Sequence, residues 1–126
     1  MRATFGKKEK LKSKKELELL FSEGKTIANY PIRLIYRKVT LKKEVQVQAG
    51  VSVSKRNFKK AVDRNRIKRL LRESYRKNKY IVLNNTTHHF AFMFLYTGKE
   101  MPDYKLIEAK TKEVIQKFIT KEIKTP

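Results

Sequence analysis

Between Ala61 and Tyr75 the chain reads Ala-Val-Asp-Arg-Asn-Arg-Ile-Lys-Arg-Leu-Leu-Arg-Glu-Ser-Tyr, and the chemistry on offer is that of cations held in a row. Taken as a helix at about 100° per residue, the stretch gathers Ile67, Leu70, Leu71 and Ser74 on one side, with Tyr75 at the border. Asn65, Arg69, Arg72 and Arg76, at i, i+4, i+7 and i+11, fall on the other side, and Arg64, Arg66 and Lys68 widen the basic surface along the flanks. One face suits a core and the other suits a polyanion. A basic face opposite an apolar stripe is often only a solvated surface, but solvated faces mix signs. Residues 59–79 carry ten Lys or Arg against Asp63 and Glu73 alone, and like charges at helical spacing repel unless a partner neutralises them. Such a stripe is the electrostatic footprint of a nucleic-acid surface, and Lys55, Arg56, Lys59 and Lys60 extend it into the preceding loop.

Hydrolysis by the protein itself would need convergent groups: paired carboxylates, a nucleophile beside a base, or a set of metal ligands. The 12 acidic residues are scattered and form no motif. His88 and His89 adjoin, so in a strand they point to opposite faces and do not grip one ion together; turn or strand-end residues are the simpler reading. Gly6, Gly24, Gly50 and Gly98 are isolated, so no glycine-rich phosphate loop is present. The reacting groups of any catalysis are therefore expected to belong to a partner, with no metal site and no small-molecule cofactor in the chain. Aromatic residues offer a second kind of site, because bases of single-stranded RNA stack on exposed Phe or Tyr for about 1 to 3 kcal/mol each. Phe21, Tyr30 and Tyr36 are candidates. Core packing competes evenly for Phe21, whereas Tyr36, bracketed by Arg33, Arg37 and Lys38, is the stronger RNA candidate.

The elements that must hold these residues follow from the periodicities. A chain of 126 residues is expected to form one domain with one modest core. With 32 basic against 12 acidic residues the net charge is +20, self-repulsion that an anionic partner would relieve. The absence of Cys fits a reducing cytoplasm, the start lacks the apolar run of a secretory signal, and nothing approaches the roughly 20 apolar residues of a membrane span. A cytoplasmic protein with no membrane partner is the expectation. Residues 1–12 read as a basic N-terminal arm, 13–122 as the domain and 123–126 as a tail. Ser13 and Glu16 form a capping-box pair before Leu17, Leu20 and Phe21, and Gly24 stops that first helix. From Tyr30 the period becomes two: Ile32, Leu34 and Tyr36 alternate with Arg33, Ile35 and Arg37. After a charged turn at Lys42, Lys43 and Glu44, a run from Val45 to Val53 alternates again, with Gly50 marking a bulge or a close backbone approach. Two antiparallel strands, or one long strand bent at Gly50, fit equally well. The basic helix follows, then a turn over residues 78–87, then a strand from Phe90 to Tyr96 that is apolar on both sides and so interior to the sheet. A last helix from about Asp103 buries Ile107, Val114, Ile115, Phe118 and Ile119. The order predicts an α+β sandwich, with helices covering one side of a mixed sheet.

Lys55 to Glu73, with Arg64-Asn65-Arg66 followed by Lys68-Arg69 and Arg72-Glu73, and preceded by Gly50-Val51-Ser52-Val53-Ser54, closely resembles the signature of the bacterial ribonuclease P protein subunit. Leu17, Leu20, Phe21 and Gly24 resemble that family's first helix and its stop. The resemblance implies a two-layer α+β sandwich, a mixed sheet of about four strands with three helices and a left-handed βαβ crossover, in a class named after a domain of a ribosomal protein. It implies a protein that binds a catalytic RNA subunit and assists endonucleolytic removal of the 5′ leader from precursor tRNA, hydrolysis being carried out by Mg2+ held mainly by the RNA. Carried over by position, Lys55, Arg56, Lys59, Lys60, Arg64, Asn65, Arg66, Lys68, Arg69, Arg72 and Arg76 contact the RNA subunit, Arg64 or Arg66 being alternatively structural. Leu17, Phe21, Arg33 and Tyr36 line a cleft for the precursor-tRNA leader. The alternatives are a ribosomal or regulatory RNA-binding protein with no processing role and an autonomous nuclease.

Overall fold

The computed structural model describes residues 9–40, 45–86 and 88–123. Its elements are α1 (Lys14–Glu23), β1 (Lys25–Asn29), β2 (Ile32–Val39), β3 (Val47–Val53), α2 (Ala61–Asn78), the single turn α3 (Tyr80–Leu83), β4 (His89–Tyr96) and α4 (Tyr104–Phe118), which runs on into a π-helical turn, Ile119–Ile123. The strands lie in the order β1-β2-β4-β3. β1 with β2 and β2 with β4 are antiparallel, while β3 and β4 are parallel. Parallel neighbours need a crossover connection, and α2 supplies it. The mixed four-stranded sheet and α+β class are those expected.

Period two explains why β4 takes an inner position. Phe90, Phe92, Phe94 and Tyr96 point into the larger core, where they meet Ile67, Leu71 and Tyr75 of α2 and Ile107, Val114, Ile115 and Phe118 of α4. Ala91 and Met93 point the other way, into a smaller core with Ile35, Leu11 and Leu20 of α1. A strand with two apolar faces needs cover on both, and receives it. The helices therefore do not all lie on one side as expected: α2 and α4 cover one face, and α1 docks on the other. The larger core is bound by aromatic edges, with the Phe118 ring 4.9 Å from Tyr36, 5.0 Å from Phe90 and 4.9 Å from Phe92.

Of the two arrangements left open for the Tyr30–Val53 region, the single strand bent at Gly50 does not occur; β2 and β3 are separate strands of opposite direction, but they are not neighbours, because β4 inserts between them. Gly50 carries no bulge, since the register runs unbroken from Val47↔Phe90 to Val53↔Tyr96. It allows a close approach instead: a Cβ there would lie 2.9 Å from Met93 Cε. The expected turn at Lys42–Glu44 lies outside the described residues. β1 escaped the periodicity because in this edge strand only Ile27 is buried, and residues 78–87 hold a one-turn helix, α3, with Thr87 outside the described residues. Of the expected basic arm, residues 1–8 lie outside the described residues, but Glu9 to Leu11 are docked. Lys10 bridges Ala49, the Leu11 N–H donates to the Ala49 carbonyl at 2.9 Å, and Glu9 pairs with the buried Lys79 at 2.7 Å. Among the described residues no helix is long and apolar enough to cross a membrane.

α1 is seated by its ends. Ser13 Oγ accepts from the Glu16 N–H at 3.3 Å, and the Gly24 N–H donates to the Leu20 carbonyl at 2.9 Å. Gly24 has φ −71°, so it is not there for a left-handed turn. A side chain would strike both the Leu20 carbonyl oxygen and β2, its Cβ falling 2.8 Å from Ile35 Cγ2.

Candidate nucleic-acid interface

α2 presents its charge as the helical spacing predicted. Ile67, Leu71, Ser74 and Tyr75 are buried, and Asn65, Arg66, Arg69 and Arg72 are exposed on the outer side. Lys55, Arg56, Lys59 and Lys60 are exposed in the loop that leads into the helix, and Lys68 is half-buried on the flank. That loop is fixed to the end of the sheet, because Asn57 Nδ2 donates to the carbonyls of Thr97 and Gly98 at 3.4 and 3.3 Å. Among the described residues, none of the ion pairs involves Arg66, Arg69 or Arg72. Four guanidinium or amide groups thus stand in one exposed row, unscreened by the chain's own carboxylates.

Other members of the basic run are engaged inside the protein. Arg64 Nη1 donates to the carbonyls of Phe58 and Lys59, both at 2.8 Å, so its guanidinium ties the loop to the start of α2, where Lys60 supplies no side-chain cap. Arg76 Nε donates to Glu73 Oε2 at 3.1 Å, and its Nη2 reaches Glu73 Oε1. The hydrogen bonds from Arg76 hold the Glu73 carboxyl below its ordinary range. Lys77 lies 5.1 Å over the Tyr104 ring. The row open to a partner is therefore shorter than the sequence run, and centred on Asn65 to Arg72.

The second expected site divides between two faces. On α1, Leu20 is buried, Leu17 packs partly against the smaller core, and Phe21 is 55% exposed. Arg33 is exposed on the same sheet face, in a cross-strand row with Leu95 of β4 and Ser52 of β3. This row continues into a shallow cleft of about 600 Å³ bordered by Ser52, Leu95, Lys99, Arg56 and Asn57, which joins the α1 side of the sheet to the loop before α2. Arg37 points to this face too but is held by Glu16 at 2.6 Å. Tyr30 is exposed in the turn between β1 and β2.

Tyr36 does not belong to that cleft. It is 2% exposed, in the larger core, and its hydroxyl donates to Glu122 Oε1 at 2.5 Å. Successive strand residues face opposite ways, and the α1 side of β2 is lined by Arg33, Ile35 and Arg37. Burial, then the bond to Glu122, pushes the Tyr36 phenol well above its ordinary pKa, so it stays a hydrogen-bond donor. Sequence reasoning missed Ile35, Met93 and Leu95 as the floor of the α1 face and Lys99 at its end. The alternation of β2 and β4 carried that signal once the face covered by α1 was known. Asn57, which fixes the loop, had no signal of its own.

Among the described residues no group of three or more His, Asp or Glu gathers in metal-binding geometry. His89 Nδ1 instead lies 2.7 Å from the Val45 carbonyl, and His88 is exposed beside it. The arrangement offers cations, amides and exposed aromatic rings, which bind and position a polyanion.

Comparison with known proteins agrees with the geometry. The ribonuclease P protein component of Porphyromonas gingivalis is 39% identical over 111 residues, covering 84% of this chain and 81% of the relative. That of Thermotoga maritima is 35% identical over 82 residues, 65% of this chain and 67% of the relative. Among solved structures, the RNase P protein from Thermotoga maritima superposes with a TM-score of 0.70 at 24% identity, covering 86% of this chain and 96% of that one. The Staphylococcus aureus RNase P protein gives 0.67 at 20% identity, covering 91% and 97%; at these identities the two structures show a shared fold. The family profile described as Ribonuclease P matches residues 5–119, and with that span matched the chain belongs to the ribonuclease P protein family.

Proposed function

We propose that the chain works as the protein component of ribonuclease P through two surfaces, the exposed row of α2 gripping the RNA subunit and the α1 face holding the 5′ leader of precursor tRNA. Membership of the family makes a tRNA-processing ribonucleoprotein its setting and ribonuclease P RNA its partner. The observation that carries the reading is the row Asn65, Arg66, Arg69 and Arg72, exposed and without ion pairs among the described residues. Guanidinium groups bind phosphate bidentately and release counterions as they do so. Lys55, Arg56, Lys59 and Lys60 lengthen the same surface, and Lys68 flanks it.

Phe21 supports the leader assignment, since an exposed aromatic on α1, the helix that covers the sheet face carrying Arg33 and Leu95, gives a base a ring to stack on, and Arg33 gives a phosphate a cation. In this reading the RNA would hold the magnesium, which would supply an activated water and charge stabilisation for phosphodiester hydrolysis. The chain's own part in this reading is to screen phosphate repulsion between two RNAs and orient the leader.

The test is reconstitution. The purified chain, mixed with the catalytic RNA and precursor tRNA at low magnesium, is expected to restore cleavage at the mature 5′ end. Binding to RNA without any restored cleavage would instead support an RNA-binding protein with no processing role, and cleavage by the protein in RNA-free preparations would make it a nuclease in its own right.

A further inference from the structure

A second concavity lies away from the α2 row and reaches only the C-terminal end of α1, at Glu23. It opens at the end of the sheet where β3 and β4 begin, on the face that carries α2 and α4, and its volume is about 820 Å³, within the range of about 300 to 1,000 Å³ typical of ligand pockets. The rings of Tyr36 and Phe90, 2% and 4% exposed, form its floor. Lys25 and Lys38 stand on the β1–β2 side, and Gln46, Asn84, Asn85 and His88 on the other.

The walls are tied in place by hydrogen bonds. Gln46 Nε2 donates to the Thr86 carbonyl at 2.5 Å, and Asn85 Nδ2 donates to the Ile81 carbonyl at 2.6 Å. Both bonds use amide N–H groups and leave the amide carbonyl oxygens available. Two acids line the rim: Glu122 accepts from Tyr36 at 2.5 Å and pairs with Lys25 at 3.2 Å, while Glu23 is exposed at the end of α1, beside the Lys25 and Arg37 cations of the same lining. Lys38 and His88 are exposed and make no ion pair among the described residues. An ammonium group beside amide edges is a combination that suits a nucleotide, since the first takes phosphate and the second match the donor and acceptor edges of a base. Apolar or purely anionic ligands would leave the amides unused.

We propose that this cleft holds one unstacked nucleotide of a single-stranded RNA, its phosphate at Lys38 and its base edge at Asn84, Asn85 and Gln46. The class of occupant rests on the RNA-binding reading above; the place rests on residues that neither the α2 row nor the α1 face uses. It gives the protein an RNA contact at the end of the sheet where β3 and β4 begin, away from the α2 row.

The experiment titrates the full-length, isotope-labelled chain with a five-nucleotide RNA and follows the side-chain amide resonances of Gln46, Asn84 and Asn85. These are expected to shift and saturate, and Lys38→Gln combined with Asn84→Ala is expected to weaken that saturation about tenfold while the fold, read by circular dichroism, is unchanged. Amide resonances that stay fixed while RNA saturates the α2 row would overturn the proposal, as would undiminished affinity in the double variant or equal shifts with a glutamate-rich peptide. The source of the nucleotide is read by photo-crosslinking 4-thiouridine placed in the RNA subunit, in precursor tRNA, or supplied as the free monophosphate. A crosslink from either RNA to the peptide bearing Asn84 and Asn85 supports the proposal, and a crosslink from the free nucleotide alone, or none, overturns it. Failure of the broader reading would show separately, as loss of cleavage assistance by the unmodified chain.

Discussion

The hydroxyl of Tyr36 donates to Glu122 Oε1 at 2.5 Å, joining the middle of β2 to the turn that follows α4. Lys25 completes the cluster at 3.2 Å, so three separate elements converge on one carboxylate. The bond from Tyr36, then that from Lys25, holds the Glu122 carboxyl below its ordinary value of 4.5. A carboxyl depressed in the folded state adds stability above its unfolded value and loses it as pH falls through the folded one. Tyr36→Phe is expected to cost about 2 kcal/mol near neutral pH, the range of a hydrogen bond to a charged group. The gap in Tm between the two proteins should narrow as pH drops below 4.5. Thermal unfolding followed across that range checks it, and a gap independent of pH would remove the carboxylate from the account.

Tyr36 also shows where the sequence stopped being informative. β2 alternates Ile32, Leu34 and Tyr36 with Arg33, Ile35 and Arg37, and both sets are partly apolar. Alternation says that the sets face opposite ways but not which set meets α1, and a shift of one residue moves a side chain to the other face. Placing both Arg33 and Tyr36 in one cleft conflicts with that alternation, and only the docking of α1 decides which of the two belongs there. The α2 row was legible because helical spacing sorts its residues without reference to the rest of the fold. β4 was legible as an inner strand because it is apolar on both sides. Arg64 was ambiguous for the opposite reason: its partners, the carbonyls of Phe58 and Lys59, are placed by a folded loop. β1, with one buried residue, left almost no pattern to read.

Arg64 and Arg69 lie five residues apart on one helix and are expected to fail differently. Arg64→Ala removes two hydrogen bonds from a cation to loop carbonyls and should lower stability by about 1 to 3 kcal/mol. Arg69→Ala removes an exposed side chain, so stability should change by less than about 0.5 kcal/mol. Its effect belongs to RNA affinity, where the slope of log affinity against log salt should fall by about 1 for each phosphate that the variant no longer neutralises. Arg66→Ala with Arg69→Ala should lower that slope further while the fold survives. Chemical denaturation and salt-dependent binding to the RNA subunit, run on the same variants, separate the two roles.

Gly24 sets the seat of α1 on the sheet. Gly24→Ala would drive a Cβ onto the Leu20 carbonyl oxygen and to 2.8 Å from Ile35 Cγ2. Overpacking of this kind costs about 1 to 3 kcal/mol. Relief requires the last turn of α1 to open at the bond from the Gly24 N–H to the Leu20 carbonyl and to shift from Ile35, and Phe21 lies in that turn. The variant should therefore lose both Tm and affinity for leader-bearing precursor, which thermal unfolding and precursor binding, run on the same protein, check.

Phe21 is the one large apolar side chain of α1 that is mostly exposed, which in a helix of ten residues is a poor use of apolar surface unless something covers it. Phe21→Ala should weaken binding of leader-bearing precursor tRNA by about 1 to 3 kcal/mol, the range for one stacked base. Binding of mature tRNA, which has no leader, should stay within experimental scatter. Phe21→Tyr keeps the ring and should keep the affinity. Tyr36→Phe serves as the control from the other face: it alters the bond to Glu122 but presents nothing to the α1 side, so it should leave leader affinity unchanged at neutral pH while lowering Tm. If Tyr36→Phe weakened leader binding and Phe21→Ala did not, the leader would have to run over the α2 and α4 face instead, and the α1 cleft would carry no RNA.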